Sequence, residues 1–440
     1  MIRPIPSIFF CRTSALQPYR TPRDQHSISR RDISQPALRV LYRLHEHGYR
    51  ACLVGGCVRD LLLGHAPKDF DVVTDATPEE ITTLFRGSRI IGRRFQIVHV
   101  RMGREITEVS TFRAAAESDD VDANRTAEGM ILRDNVFGPQ EEDALRRDFT
   151  INALYYDIAD FALVDYVGGM ADLEARVIRL IGEPAQRYRE DPVRLLRAAR
   201  FVAKLGFHLA PETAAPIEDL KTLLRDVPPA RLFDEVVKLF MTGHGAASFQ
   251  ALRNLGLLPY LLPGLNTELE CGNGFAQRLV EAALRNTDER LANQQPVTPG
   301  FLFAALLWPS VERHRAALLA TGESPLPALQ VAAQRAIATQ LEATALPKRF
   351  SFMMREIWEL QLRLPRRTPR NVAQMAASKR FRAGYDFVLL REQAGEDLGG
   401  LGAWWTQYQD ADASGQQKLI EALPRGPKRK KKRTRAAASR

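Results

Sequence analysis

The feature that most restricts this chain is a change of hydrophobic period near Gly182. Before it, short apolar runs alternate with turn residues and helical stretches. After it, apolar residues recur at three- and four-residue spacing nearly to the end, broken only by "DVPPAR", "LLPYLLPG", "NQQPVTPG" and "LRLPRRTPR". A period of two puts side chains alternately on the two faces of a strand, whereas a period of 3.6 builds one stripe along a helix. The second part is therefore expected to be helical. The chain reads as α+β, with a mixed α/β head followed by an all-α remainder. Its 440 residues allow roughly two to four domains. No apolar run reaches the ~18 residues of a membrane span, so none is expected.

Within the head, Ala37, Leu38, Val40, Leu41 and Leu44 predict a helix. "ACLVGG" predicts a short buried strand ending in a glycine turn, and "VRDLLLG" a short helix stopped by Gly64. "KDFDVVT" reads as a strand. "TPEEITTLFRG" reads as a helix with Thr77 at its N-cap and Glu80 three residues on, a capping box. "RRFQIVHVRMG" and "REITEVSTFR" suggest a hairpin around Gly103, and residues 114–147 are a long polar stretch. The expected divisions are a flexible N-terminal extension (1–32), a head (33–182), a helical neck (183–260), a helical body and leg (261–423) and a disordered basic tail (424–440).

Charge and cysteine content narrow the setting. Nine of the ten net positive charges lie in the last sixteen residues, "RGPKRKKKRTRAAASR", which hold no acid. Such a block repels itself and gains affinity for RNA by releasing phosphate counterions. The four cysteines, Cys11, Cys52, Cys57 and Cys271, form no CxxC or zinc spacing and are too few for a disulfide scaffold. A reduced cytoplasm is the expected compartment.

The chemistry concentrates in "LVGGCVRDLLLGHAPKDFDVVT". On a strand, Asp69 and Asp71 would share one face, with Phe70 anchoring the other. Two neighbouring carboxylates repel, and both stay ionised when a cation lies between them. Such hard oxygen donors suit Mg²⁺. Gly55 and Gly56, at a strand-to-helix junction, could bring backbone N–H groups against a phosphate, or form a simple tight turn. Arg59 on the first turn of that helix could reach the same phosphates.

This segment resembles the head signature of the class II nucleotidyltransferases, relatives of DNA polymerase β that include bacterial poly(A) polymerases and tRNA CCA-adding enzymes. "RRDFTINALYYD" (146–157) is similar to a second motif of that family, and "EDPVRLLRAARFVAKLGF" (190–207) to its nucleotide-recognition helix. The resemblance is close over about residues 30–260 and looser beyond. It implies a polymerase-β-like nucleotidyltransferase head with a mixed sheet, followed by an all-α neck, body and leg. It also implies that Asp148 joins Asp69 and Asp71 in the catalytic set. Glu108, on a predicted neighbouring strand, competes for the third place. Arg146 and Arg147 could neutralise triphosphate charge. Arg194, Arg197 and Arg200 form a drifting basic stripe on the recognition helix. By resemblance, Asp191 and Arg194 contact the edge of the incoming base, with Glu190 a weaker member and Arg197 in the same nucleotide-binding set.

Three features point to the poly(A) polymerase branch. "IIGRRF" (90–95) resembles a short signature of that branch, although Val100 follows His99 where some members have Gln. No His-Asp phosphohydrolase pattern appears downstream. The basic tail and the interleaved cations and aromatics of "KRFRAGYDFVLLR" (379–391) suit an enzyme that holds arbitrary RNA. The expected reaction is template-independent transfer of AMP from ATP to RNA 3′ ends using two Mg²⁺ ions. RNA-decay or RNA-chaperone proteins are expected as partners. The alternatives are CCA addition to tRNA, or an RNA-binding protein with an inactive head.

Overall fold

The computed structural model describes residues 17–92, 96–114 and 136–423. It forms two compact units, Met1–Leu224 and Arg225–Arg440. The first contains a mixed sheet. Its strands are β1 (Tyr19–Thr21), β2 (Ala51–Val54), β3 (Asp71–Thr74), β4 (Ser88–Ile91), β5 (Ile97–Met102), β6 (Glu105–Thr111), β7 (Leu154–Asp157) and β8 (Leu163–Asp165). They are ordered β1-β8-β7-β2-β3-β6-β5-β4. β2 and β7 are buried along their whole length, as central strands covered on both faces should be. Among the described residues β3 and β6 make the one parallel pairing of this sheet, in the register Asp71↔Glu108.

Helices pack where the apolar spacing predicts. In α1 (Gln35–Glu46) the five apolar residues are all buried, and the Ser34 side chain caps the Ala37 N–H. In α3 (Pro78–Leu84) the Thr77–Glu80 capping box forms in both directions, at 3.3 Å and 2.8 Å. Between them, α2 (Gly56–Leu62) leaves β2 directly through Gly55. The hairpin of β5 and β6 turns at Gly103, as expected. The polar stretch ends in α4 (Gln140–Arg146), followed by α5 (Gly169–Ala175), α6 (Pro184–Glu190) and α7 (Val193–Leu205).

Three expectations change. Residues 17–32, expected within the flexible extension, supply the edge strand β1, whose Tyr19 pairs with Asp165. The KDFDVVT strand begins only at Asp71. Asp69 lies in a bend before it, exposed, and Phe70 is half-buried rather than an anchor. The division at Leu224 falls inside the 183–260 neck, so α6 and α7 cluster with the sheet. The tail (424–440) and the centre of the IIGRRF signature (93–95) lie outside the described residues.

The second unit is helical throughout its described residues. Met375, Phe381, Tyr385, Val388, Leu401 and Trp405 share one buried cluster, and the Trp405 indole donates to the Leu364 carbonyl at 3.3 Å. The aromatics of KRFRAGYDFVLLR therefore fill a core, because they recur at helical spacing, and do not form a stacking platform. Among the described residues no helix is long and apolar enough to cross a membrane.

Candidate active site

The site starts at the turn from β2 into α2. Gly55 has φ +80° and ψ −133°, which a residue with a Cβ rarely adopts. Space is not the constraint: a Cβ there would lie 3.7 Å from Arg147 Nη1, 3.8 Å from the Asn152 carbonyl oxygen and 4.0 Å from Asp71 Oδ2, ordinary contact distances. The backbone conformation demands the glycine, and the same three distances place the turn beside Asp71 and Arg147.

Asp71 opens β3, and the parallel register sets it side by side with Glu108 of β6. The antiparallel register of β5 then adds His99 on the far side of Glu108. His99 Nε2 stands 3.4 Å from Glu108 Oε1 without making a hydrogen bond. Burial pushes the Asp71 carboxyl up to about 6; Glu108 and then Asp69 add to the rise, and Arg147 opposes it. Asp71, Glu108 and Arg147 line one cavity of about 230 Å³ with Val54, Ser110 and Arg113. Among the described residues no three His, Cys, Asp or Glu side chains form a metal cage. The set is two or three carboxylates open to solvent on one side.

The arginines around this pocket are held from below. Arg147 donates through Nε to Asp143 Oδ2 and the Tyr155 hydroxyl, each at 3.0 Å, and its charge meets Asp143. Asp143 is buried, which alone would raise its pKa. Arg147, Arg113 and the Tyr155 hydroxyl overcome that and hold it below the ordinary carboxylate range. Asp148 is largely covered, and Arg197, whose Nε lies 2.7 Å away, holds it well below that range. The Phe149 N–H and the Asn152 amide add to this. Asp148 does not line the Asp71 cavity; it pairs with the recognition helix.

Arg59 is buried as well. It donates to Asp60 Oδ1 at 2.6 and 2.8 Å and to Asn152 Oδ1 at 2.6 Å, with its guanidinium over the Phe201 ring. Asp60 also takes Lys204 Nζ at 2.9 Å, so Arg59 and its neighbour tie α2 to α7. Arg59 thus faces Asp60 and Asn152, with its Nη2 beside Gly56 of the turn. Asp191 ends α6 and accepts a 3.3 Å bond from the Val193 N–H at the start of α7. Arg194 Nη1 donates to the Arg187 carbonyl at 2.6 Å and to Glu190 at 3.3 Å. Arg187 bonds Glu190 at 2.7 Å and the carbonyls of Arg146 and Arg147 at 2.7 and 2.6 Å. Burial and the nearby Arg194 charge push the Arg187 guanidinium down to about 10 despite Glu190.

The three sequence motifs thus converge, but in two layers. Asp71, Glu108 and Arg147 face the cavity, with Gly55 beside Asp71 and Arg147. Asp148, Arg197, Arg59, Arg187 and Glu190 form the network behind it. Sequence reasoning missed Arg187, Asp143 and Tyr155. Two had a signal: Asp143 precedes Arg147 by four residues, and Arg187, Glu190 and Arg194 follow i, i+3, i+7.

The Poly A polymerase head domain family matches residues 51–179, and the Polymerase A arginine-rich C-terminus family matches residues 321–438. A third family, described as "Probable RNA and SrmB- binding site of polymerase A", matches residues 206–269. Poly(A) polymerase I of Salmonella typhimurium is 48% identical over 94% of this chain and 90% of its own. The chain belongs to the poly(A) polymerase family. A CCA-adding enzyme of Bacillus pumilus is 39% identical, but over only 53% of this chain and 56% of its own. The crystal structure of the Bacillus stearothermophilus CCA-adding enzyme in complex with CTP shares 25% identity and a TM-score of 0.53, covering 89% of each chain. Poly(A) polymerases and CCA-adding enzymes therefore share this architecture, while the full-length likeness is to the polymerases.

Proposed function

We propose that Asp71, Glu108 and Arg147, with Asp69, carry nucleotidyl transfer in this enzyme, which adds AMP from ATP to RNA 3′ ends without a template. The observation that carries this is the β3–β6 register, which sets two carboxylates side by side at the mouth of a glycine turn. Burial, and after it the Glu108 charge, raises the Asp71 pKa; a divalent cation relieves the repulsion between the two carboxylates, and the all-oxygen donor set fits Mg²⁺. Asp69, Asp71 and Glu108 would hold two Mg²⁺ ions, which supply activation of the hydroxyl and neutralisation of the pyrophosphate.

The chain's own groups do the rest. The Gly55 and Gly56 backbone and Arg147 hold the triphosphate. Asp191 and Arg194 read the adenine edge, with Arg194 held by Arg187 and Glu190. The RNA 3′-hydroxyl oxygen attacks the α-phosphorus, forming the new ester bond as pyrophosphate leaves. Asp148 acts through Arg197, and Arg59 through Asp60 and Asn152, as positioning residues. Buried Cys52 and Cys57, both unpaired, support a reduced cytoplasm. The match at residues 206–269 supports RNA-decay or RNA-chaperone proteins as partners, and the basic tail supports RNA contact.

Primer extension with each nucleoside triphosphate supplied separately tests the reading. ATP alone should support long extension. Efficient CMP addition to tRNA lacking its CCA end, with CTP alone, would instead favour a CCA-adding enzyme, the reading that the half-length CCA-adding relatives keep open. Any ATP-dependent extension excludes an inactive head.

A further inference from the structure

In KRFRAGYDFVLLR, Arg391 is buried with the aromatics, Arg380 pairs with Glu356 and Arg382 with Asp386, whereas Lys379 meets no carboxylate among the described residues. The second unit holds a cavity of about 550 Å³ between the helices Gly274–Ala292, Pro299–Ala320 and Phe381–Gln393. That volume falls within the range of small-ligand pockets, roughly 300–1,000 Å³. Lys379, Arg382 and Arg290 line it. Among the described residues Lys379 has no carboxylate partner, and the Arg290 guanidinium meets only the Pro296 carbonyl, at 3.2 and 3.3 Å. Two cations are therefore available for phosphate without breaking an ion pair. Half-buried Phe301 also lines the cavity, braced edge-to-face by Phe387 (centroids 5.9 Å apart, planes at 76°). A braced aromatic loses little entropy on stacking. Asn293 and Gln295 in the same wall offer both donors and acceptors to a base edge.

We propose that this cavity holds one unstacked nucleotide of single-stranded RNA, the base against Phe301 and the flanking phosphates at Lys379 and Arg290. An aromatic face with two phosphate-seeking cations is the chemistry that holds single strands without reading their sequence. The site lies in the Arg225–Arg440 unit, whereas the residues proposed for AMP transfer lie in the other, so it would retain RNA and not react with it. The inference rests on the reading that RNA is the substrate.

The test is anisotropy of a fluorescent 20-mer oligoadenylate titrated across salt, with three variants of the full chain. Lys379→Glu/Arg290→Glu should weaken binding about ten-fold and flatten the log–log salt dependence by about 1.4, two phosphates' worth for a single strand. Phe301→Leu should weaken binding about five-fold or more with the salt slope unchanged, as lost stacking does. Arg335→Glu/Lys418→Glu, the same charge change on exposed residues outside the cavity, should do markedly less. The turnover number for AMP addition to a saturating trinucleotide primer should stay at the wild-type value in every variant. The proposal is overturned if the cavity pair loses no more than the charge-matched control, if Phe301→Leu leaves affinity intact, or if trinucleotide turnover falls with affinity. Failure of the underlying reading shows separately, as unaltered protein that does not extend RNA with ATP.

Discussion

Asp71 and Asp148 sit in the same half of the molecule and behave in opposite ways. Asp71 faces Glu108 across two hydrogen-bonded strands, and its pKa is raised. Asp148 faces Arg197, a backbone N–H and an amide, and its pKa is depressed. The fold has left the first carboxylate in want of a cation and has given the second one. A carboxylate whose neighbours already satisfy it works as structure. One set against another carboxylate gains further from an arriving cation, which is what the ligand role proposed for Asp71 requires.

The largest expected effect breaks this comparison outright. Asp71→Asn should lower AMP incorporation by about a thousand-fold or more, roughly 4 kcal/mol of transition-state stabilisation, while RNA affinity stays and thermal stability holds or rises as repulsion is removed. Near-normal incorporation in a primer-extension assay would sink the metal-ligand role of Asp71.

Asp148→Asn should act mainly on stability. It leaves Arg197 without its carboxylate and should cost about 2–3 kcal/mol in urea unfolding, less than a fully buried pair because Arg197 is partly exposed. Coupling in a double-mutant cycle with Arg197→Gln should recover much of that loss. Additive effects, together with normal stability and lost activity, would return Asp148 to the catalytic set.

The smallest effect is a pH slope. The folded-state pKa of Asp143 lies below its unfolded value of about 3.9. Its stabilisation is therefore complete above that value and is lost as pH falls through it towards the folded pKa. Asp143→Asn should be less stable near neutral pH and should flatten the decline in stability below pH ~4. An unchanged slope in acid denaturation would show that another carboxylate carries it.

Much of the head was legible because its signals are local. α1, the Thr77–Glu80 box and the Gly103 hairpin each follow from a few consecutive residues. Glu108 was a candidate neighbour of Asp71, but its register against Asp71 was not legible in the same way. Alternation says which face a side chain occupies, but not which strand lies beside it, and Glu108 arrives through a parallel pairing across a long crossover. The Asn152 acceptor of Arg59 was not legible because it lies 93 residues away. β1 escaped notice because three residues are too few to show a period.

The β3–β6 register also has a consequence for the order of synthesis. Parallel, non-local pairing forms late, since loop closure must precede the contacts that reward it. Gly55, Asp71, Glu108, Arg147 and Arg197 emerge from the ribosome over some 140 residues of chain. A nascent chain short of Arg197 has its aspartates but no assembled site. A head truncated before Arg197 should therefore fail to transfer AMP, silent rather than indiscriminate.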